Sequence, residues 1–281
     1  MPRAIDVHIH PPNPQGESLT SSPETQAYFK SAATPRSADE MAEYYASLDI
    51  FGVIFDIDAE TATGRPPTPN DYIADIVRRY PKQFIGFGSV DPWKGRAAVN
   101  EAVRCATELG LKGLKFHPSM QRFYPNDPQF YPLWETAQNL GLIVLLHTGT
   151  TGVGVGRPGG GGIKLKYTQP IPYIDDIAAD FPELKIIMAH PAWPWQEEQL
   201  AILVHKPNVY MDLSGWSPKY FQPSLVQYAN TLIQDKVLFG SDYPVITPER
   251  WLRDFEQAGF REEVRQKILF DNAARLLGLQ F

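Results

Sequence analysis

Short, nearly continuous apolar runs alternate along this chain with longer stretches whose apolar residues recur every three or four positions. Eight runs have the first character: 4–10, 51–58, 84–92, 111–118, 142–149, 185–191, 209–215 and 237–244. They are rich in β-branched residues, and most lack a polar face, which suits parallel strands covered on both sides. The stretches between them read as helices, for example 37–48, 70–80, 95–109, 129–140, 173–181, 196–205 and 224–234. Eight strands alternating with helices predict an α/β fold, a single (β/α)8 TIM barrel over residues 1–281.

Loop lengths point the same way. Connections entering strands are short (80–83, 109–110, 140–141, 181–183, 206–208), whereas several leaving strands are long (11–36, 59–69, 119–128, 150–172, 216–223). Barrel enzymes build their sites from the loops that leave the strands, and a loop beyond about 12–15 residues is usually functional or disordered. Segment 11–36 reads as a lid, although its Pro and Ser content also fits a disordered stretch. Segment 150–172 reads as a glycine-rich flap.

The strand ends carry the candidate chemistry. The first run ends Ile5-Asp6-Val7-His8-Ile9-His10, and residues two apart on a strand share a face. His117, His147, His190 and Asp242 close the fourth, fifth, sixth and eighth runs, so five of the six histidines gather at one end of the barrel. His205 lies at a helix end on the other face and reads as structural. Singly, each histidine fits a hydrogen-bonded core residue. Jointly, three histidines and an aspartate can hold one divalent cation with positions left open, zinc being expected and manganese or iron the alternatives. Asp242 suits a ligand, a general base or a turn cap.

Composition narrows the partners. The net charge of −6, without a Lys/Arg cluster, argues against nucleic acid, and no apolar run approaches the ~20 residues of a membrane span. The start, Met1-Pro2-Arg3-Ala4, enters a strand directly and leaves no room for a signal peptide. Cys105, the one cysteine, reads as a buried inert thiol, so a reducing compartment, the cytoplasm, is expected. Gly152-x-Gly154-x-Gly156 is not followed by a helix start, which argues against a nucleotide cofactor. Arg157, Lys164 and Lys166 flank this loop and could anchor a carboxylate or phosphate, Arg157 by two parallel hydrogen bonds. Trp193, Trp195, Trp216, Phe123 and Tyr124 follow strand ends, and Trp193 and Trp216 are taken first as contacts to a small substrate. Asp212 and Ser214 share a face of the seventh strand and would support the site from behind.

The segments Asp6-Val7-His8-Ile9-His10, Ala189-His190-Pro191, Gly240-Ser241-Asp242-Tyr243-Pro244 and Asn272-Ala273-Ala274-Arg275-Leu276-Leu277, with His147 between them, resemble the amidohydrolase-related branch of the amidohydrolase superfamily. That branch includes aminocarboxymuconate semialdehyde decarboxylase and the resorcylate decarboxylases. The resemblance implies one metal held by His8, His10, His147 and Asp242, with His190 as the acid/base residue. Binuclear relatives use a carboxylated lysine at the fourth strand. Here Lys115 and His117 share a face there, so a second metal is an alternative to the preferred reading of His117 as a substrate contact. Many proteins of this fold form dimers, and a homodimer stays open.

Two reactions suit such a site. In the preferred one, a hydrolase uses metal-activated water against a lactone, ester, amide or β-ketoacyl thioester. The alternative is non-oxidative decarboxylation of a hydroxybenzoate-like or unsaturated acid. The short chain and glycine-rich loop favour hydrolysis, because the branch also holds lactone and β-ketoacyl thioester hydrolases. A non-catalytic metal-binding barrel is a third reading.

Overall fold

The eight apolar runs are the staves of a parallel barrel. In the computed structural model, which describes residues 1–15, 24, 26, 27 and 37–281, they form β1 (Ala4–Ile9), β2 (Ile50–Ile54), β3 (Phe84–Gly86), β4 (Gly88–Ser89), β5 (Gly113–Phe116), β6 (Ile143–His147), β7 (Ile186–Ala189), β8 (Val209–Asp212) and β9 (Val237–Leu238). Neighbours pair in parallel and in chain order. The stave expected over 84–92 is divided: β3 completes a three-stranded sheet with β1 and β2, and β4 opens the six-stranded sheet that runs to β9. Phe87, at the break, turns into the barrel interior while its amide donates to the Ile54 carbonyl at 3.0 Å. A helix lies close behind, since a Cβ on Gly88 would come within 2.6 Å of Cys105 Sγ. Only a stave without side chains there can pass. At the other seam Val7 N donates to Phe239 O at 3.0 Å and His10 N to Tyr243 O at 2.8 Å, closing β9 onto β1.

Around the staves lie α1 (Ala38–Ser47), α2 (Glu60–Thr63), α3 (Asn70–Arg79), α4 (Arg96–Thr107), α5 (Pro118–Gln121), α6 (Tyr131–Asn139), α7 (Tyr173–Asp180), α8 (Gln196–His205), α9 (Pro223–Ala229), α10 (Pro248–Phe255), α11 (Glu262–Gln266) and α12 (Asn272–Leu277). Ser37 starts α1 with a reciprocal cap, accepting from Glu40 N while Glu40 accepts from Ser37 N. The helix expected over 224–234 ends at Ala229, where the Asn230 side chain ties the chain to Gly259 and Arg261. Most of the expected lid, 11–36, lies outside the described residues. The flap region contains two tight turns, Pro158–Gly162 and Leu165–Thr168. Gly159, Gly160 and Gly161 all take left-handed backbone there, which accounts for the glycine run. Among the described residues no helix is long and apolar enough to cross a membrane.

Side-chain alternation sorts the core into two layers. Leu114 and Phe116 of β5, Val144 and Leu146 of β6, and Met211 of β8 face the helices. Leu145, Ile187 and Leu238 face the barrel axis. The alternation therefore turns Lys115, His117, His147 and Asp212 inward. The same packing makes Gly113 obligatory, because an added Cβ would lie 2.4 Å from the backbone oxygen of Ile143 on the neighbouring stave. Gly113→Ala is expected to lower stability by about 1–3 kcal/mol, read as a reduced urea midpoint at unchanged slope. An unchanged midpoint would mean that β5 and β6 can part without cost.

Candidate metal centre

A slip in the first strand makes the site. Ile5 and Val7 face the barrel axis, Ile9 faces the helices, and the β1–β2 register shifts between Asp6 and Ile9. One strand residue out of phase exchanges the faces, and His8 and His10 thereby enter the mouth. Nε2 of each lies 3.4 Å from Oδ1 of Asp242. Asp242 follows β9 in left-handed backbone, φ 64°, and its amide donates to the His8 carbonyl at 3.0 Å. Phe55 sits edge-on to both imidazoles, at 4.9 and 5.0 Å between centroids.

Asp212 fixes the tautomer of His8. Its Oδ2 lies 3.0 Å from Nδ1, which must then carry the hydrogen and leave a lone pair on Nε2. Burial, with Lys115 adding to it, pushes His8 down to about 3, so the ring is neutral. Burial alone would raise the carboxyls of Asp212 and Asp242. Hydrogen bonds from His8 and Ser214 to the first, and from His10 to the second, instead hold both below the ordinary carboxylate range. A lone pair and a carboxylate oxygen thus face each other across 3.4 Å without a hydrogen between them. That contact is unfavourable unless a cation lies between. Two imidazoles and one carboxylate, with ligand atoms within 4.8 Å of one another, suit zinc, manganese or iron.

The other histidines form a second layer. His190 also has left-handed backbone, φ 70°, and its amide donates to Asp212 Oδ1 at 3.2 Å. Its Nδ1 faces Ser214 O at 3.0 Å, and its Nε2 lies 3.1 Å from Nδ1 of His147. Nε2 of His147 meets the Thr150 carbonyl at 3.1 Å. Both outer nitrogens face carbonyl oxygens and need hydrogens, so two neutral rings leave a lone pair against a lone pair at the inner contact. A proton or a cation has to relieve it. His117 stacks on His147 at 3.8 Å, places Nε2 3.3 Å from Thr151 Oγ1, and caps α5. Gly215 permits this closeness, since a Cβ there would lie 2.6 Å from His190 Nδ1.

The structure thus brings His8, His10 and Asp242 together, and groups His8 also with His190 and Asp212. His147 adjoins them through His190 rather than joining either group, because its nitrogens are occupied by His190 and Thr150. Arg157 lies 3.8 Å from Glu24 and is half exposed; Trp193 is 52% exposed and Trp216 is half-buried. Among the described residues none of these three side chains makes a hydrogen bond or ring contact with the histidines. Trp193 contributes through its backbone, accepting from Thr150 N at 2.8 Å. Asp212 and Ser214 stand behind the site as expected. Sequence reasoning missed Thr150, Thr151 and Gln121, whose Oε1 accepts from His117 N at 2.9 Å and whose amide donates to Asp58 O and Val90 O. The last had a signal, a fully buried Gln four residues after a strand-end His.

A family model described as Amidohydrolase matches residues 5–279. The 2-amino-3-carboxymuconate-6-semialdehyde decarboxylase of Dictyostelium discoideum is 26% identical over 242 residues, 75% of this chain and 65% of that protein, so the chain spans just under two thirds of this relative. An uncharacterised TIM-barrel protein from Bordetella bronchiseptica shares the fold at a TM-score of 0.79, with 24% identity and 98% of each chain covered. A dihydroxybenzoic acid decarboxylase from Polaromonas sp., solved with bound manganese and the inhibitor 2-nitroresorcinol, has a TM-score of 0.67 and 20% identity, covering 99% of this chain and 98% of its own.

Asp212→Asn removes the charge that orients His8 and is expected to weaken zinc or manganese binding about 10- to 100-fold, measured by chelator competition on a variant that keeps its circular dichroism. Unchanged affinity would mean that Asp212 does not orient His8. A pH effect follows from the imidazoles. Burial holds His117 and His147 well below the ordinary imidazole value, and lowers His190 as well as His8. Their folded pKa values lie below the unfolded one, so stability present above about pH 6.5 is lost as the pH falls, at about 1.4 kcal/mol per unit for each ring. Asp6, pushed up to about 7 by burial, acts in the opposite sense between about pH 4 and 7, one group against four. The metal-free protein should therefore melt at a clearly lower temperature near pH 5 than near pH 7. An equal or higher Tm at the lower pH would show that these rings are not buried neutral.

Proposed function

The chain belongs to the amidohydrolase family, and from that premise we propose that it is a metal-dependent carboxy-lyase acting on a small hydroxybenzoate-like or unsaturated carboxylic acid. The observation that carries the proposal is that the Dictyostelium relative, matched along 75% of the chain, is a decarboxylase. The manganese-bound Polaromonas structure of the same fold supports it. Hydrolysis, preferred from chain length and the glycine-rich loop, yields to this reading, because the named relatives of the chain are decarboxylases. The donor set accommodates zinc and manganese alike.

His8, His10 and Asp242 would hold the cation; His147, the fourth donor that the family resemblance implies, would have to give up its contact with His190 or Thr150 to join them. Such a cation supplies Lewis-acid binding of a carboxylate and a neighbouring oxygen. In the reaction the bond from carbon to the carboxylate breaks, its electron pair stays on carbon, that carbon takes one proton, and CO2 leaves. His190 would handle the proton: Ser214 fixes one nitrogen and the other looks into the histidine cluster. Asp242, between His8 and His10, is the other candidate for that transfer. Asp212 keeps both imidazoles in register, accepting from His8 Nδ1 and from the His190 amide. Phe55 screens the floor from water. Arg157, Trp193 and Trp216 would contact the distal part of the substrate, and His117 the part near the flap.

The test is turnover of 2,6-dihydroxybenzoate and related acids by the metal-loaded protein in D2O and, separately, in 18O-labelled water. One CO2 per product, one deuterium at the vacated carbon and no solvent oxygen in the product are expected. Solvent oxygen in the product of an ester or lactone, with no CO2 from any acid, would return the site to hydrolysis. His190→Asn should lower kcat by about 10²- to 10⁴-fold with metal content unchanged.

A further inference from the structure

A buried ammonium ordinarily has a counter-ion, and that of Lys115 has none beside it. The side chain is 1% exposed, and among the described residues no carboxylate oxygen comes within 4.0 Å of its nitrogen. The nearby acids are engaged elsewhere: Asp212 with His8 and Ser214, Asp242 with His10. Among the described residues Nζ has one hydrogen-bonding neighbour, Nε2 of His8 at 3.4 Å, and it lies 5.1 Å from the centroid of the Phe55 ring. The ammonium has three hydrogens to donate. The lone pair it meets there is the one that the metal centre also requires. With a cation held by His8, two positive charges would border one nitrogen in a buried site, an arrangement that requires an anion between them.

We propose that Lys115 is the anchor for an oxyanion of the substrate, either the carboxylate or the oxygen beside it. The substrates are then small acids whose charged end reaches the floor of the mouth at β5. Their uncharged amides are excluded. The proposal rests on the carboxy-lyase reading only in taking the anion to be the substrate's own. It gives Lys115 a different place from the carboxylated lysine of binuclear relatives, where the side chain would itself be the anion and hold metal.

Calorimetric titration of metal-loaded wild type, Lys115→Met and Lys115→Arg with 2-hydroxybenzoate and with 2-hydroxybenzamide separates these roles, metal content being measured on the same samples. Lys115→Met should bind the benzoate about 10- to 100-fold more weakly than wild type, with little change for the benzamide. Lys115→Arg should recover most of the affinity, and all three should hold one equivalent of metal. Equal benzoate affinity in wild type and Lys115→Met overturns the proposal, as does a wild type that binds benzoate no better than benzamide. Loss of metal on substitution also overturns it, by making Lys115 part of the metal shell. Should Lys115→Met fail to fold, the 15N resonance of Lys115 Nζ in wild type decides: a shift on saturation with benzoate is expected, and none overturns the assignment. Lys115-dependent anion binding without CO2 release would leave the anchor standing and sink the carboxy-lyase reading.

Discussion

The buried carboxylate of Asp212 ties three staves together at the barrel mouth. Oδ2 takes the hydrogen of His8 from β1, and Oδ1 accepts the amide of His190 beyond β7 and the amide and hydroxyl of Ser214 beyond β8. The imidazole of His8, more than the number of hydrogen bonds, holds this carboxylate ionised despite complete burial. Its charge then selects one tautomer of His8, and that tautomer places a lone pair on the side of Asp242. Asp6, equally buried, receives two amides and two hydroxyls from His8, Ser241 and Tyr45 but no imidazole, and burial pushes it up to about 7. Two aspartates near the same seam thus do different work: Asp6 joins β1 to α1 and to the turn after β9, and Asp212 aims the histidines.

The geometry has a cost in the backbone. His190 and Asp242 both occupy left-handed conformations that L side chains avoid, each costing about 1–3 kcal/mol. Both follow directly on the ends of staves, β7 and the stretch beyond β9. A regular strand would carry Ala189 inward and turn its successor away, toward the helices. The left-handed residue instead turns the imidazole back over the mouth. The register slip in β1 solves the same problem differently, and there a bulge rather than a strained residue brings His8 and His10 inward after Val7.

Much of this was legible in the sequence, for reasons that differ by element. Continuous apolar runs require two covered faces, so the parallel barrel could be read directly, and histidines at consecutive strand ends pointed to one rim. Period-two alternation placed Lys115 with His117, and Asp212 with Ser214. The divided third stave was not legible, because it depends on how closely Cys105 approaches Gly88 from a helix distant in sequence. The pairing of His147 with His190 was hidden for a related reason. It is set by the carbonyls of Thr150 and Ser214 and by the space at Gly215, and backbone oxygens carry no residue-type signal. The preference for hydrolysis rested on chain length and loop composition, neither of which reports reaction chemistry.

Charge balance at the mouth links the site to a class of substrate. Lys115 brings one positive charge, Asp212 and Asp242 two negative ones, and the burial that lowers His8, His117, His147 and His190 keeps those rings neutral. The described charges therefore leave a deficit of one positive charge, and a divalent cation held there turns it into an excess of one. In a buried site such an excess is costly until an anion enters, which favours a substrate with a single negative charge over a neutral ester or a dianion. In the proposed reaction, loss of CO2 accompanied by uptake of a proton would convert that anion into a neutral product. The attraction that held the acid would then be gone, and the same electrostatics that admit such a substrate would release what it becomes.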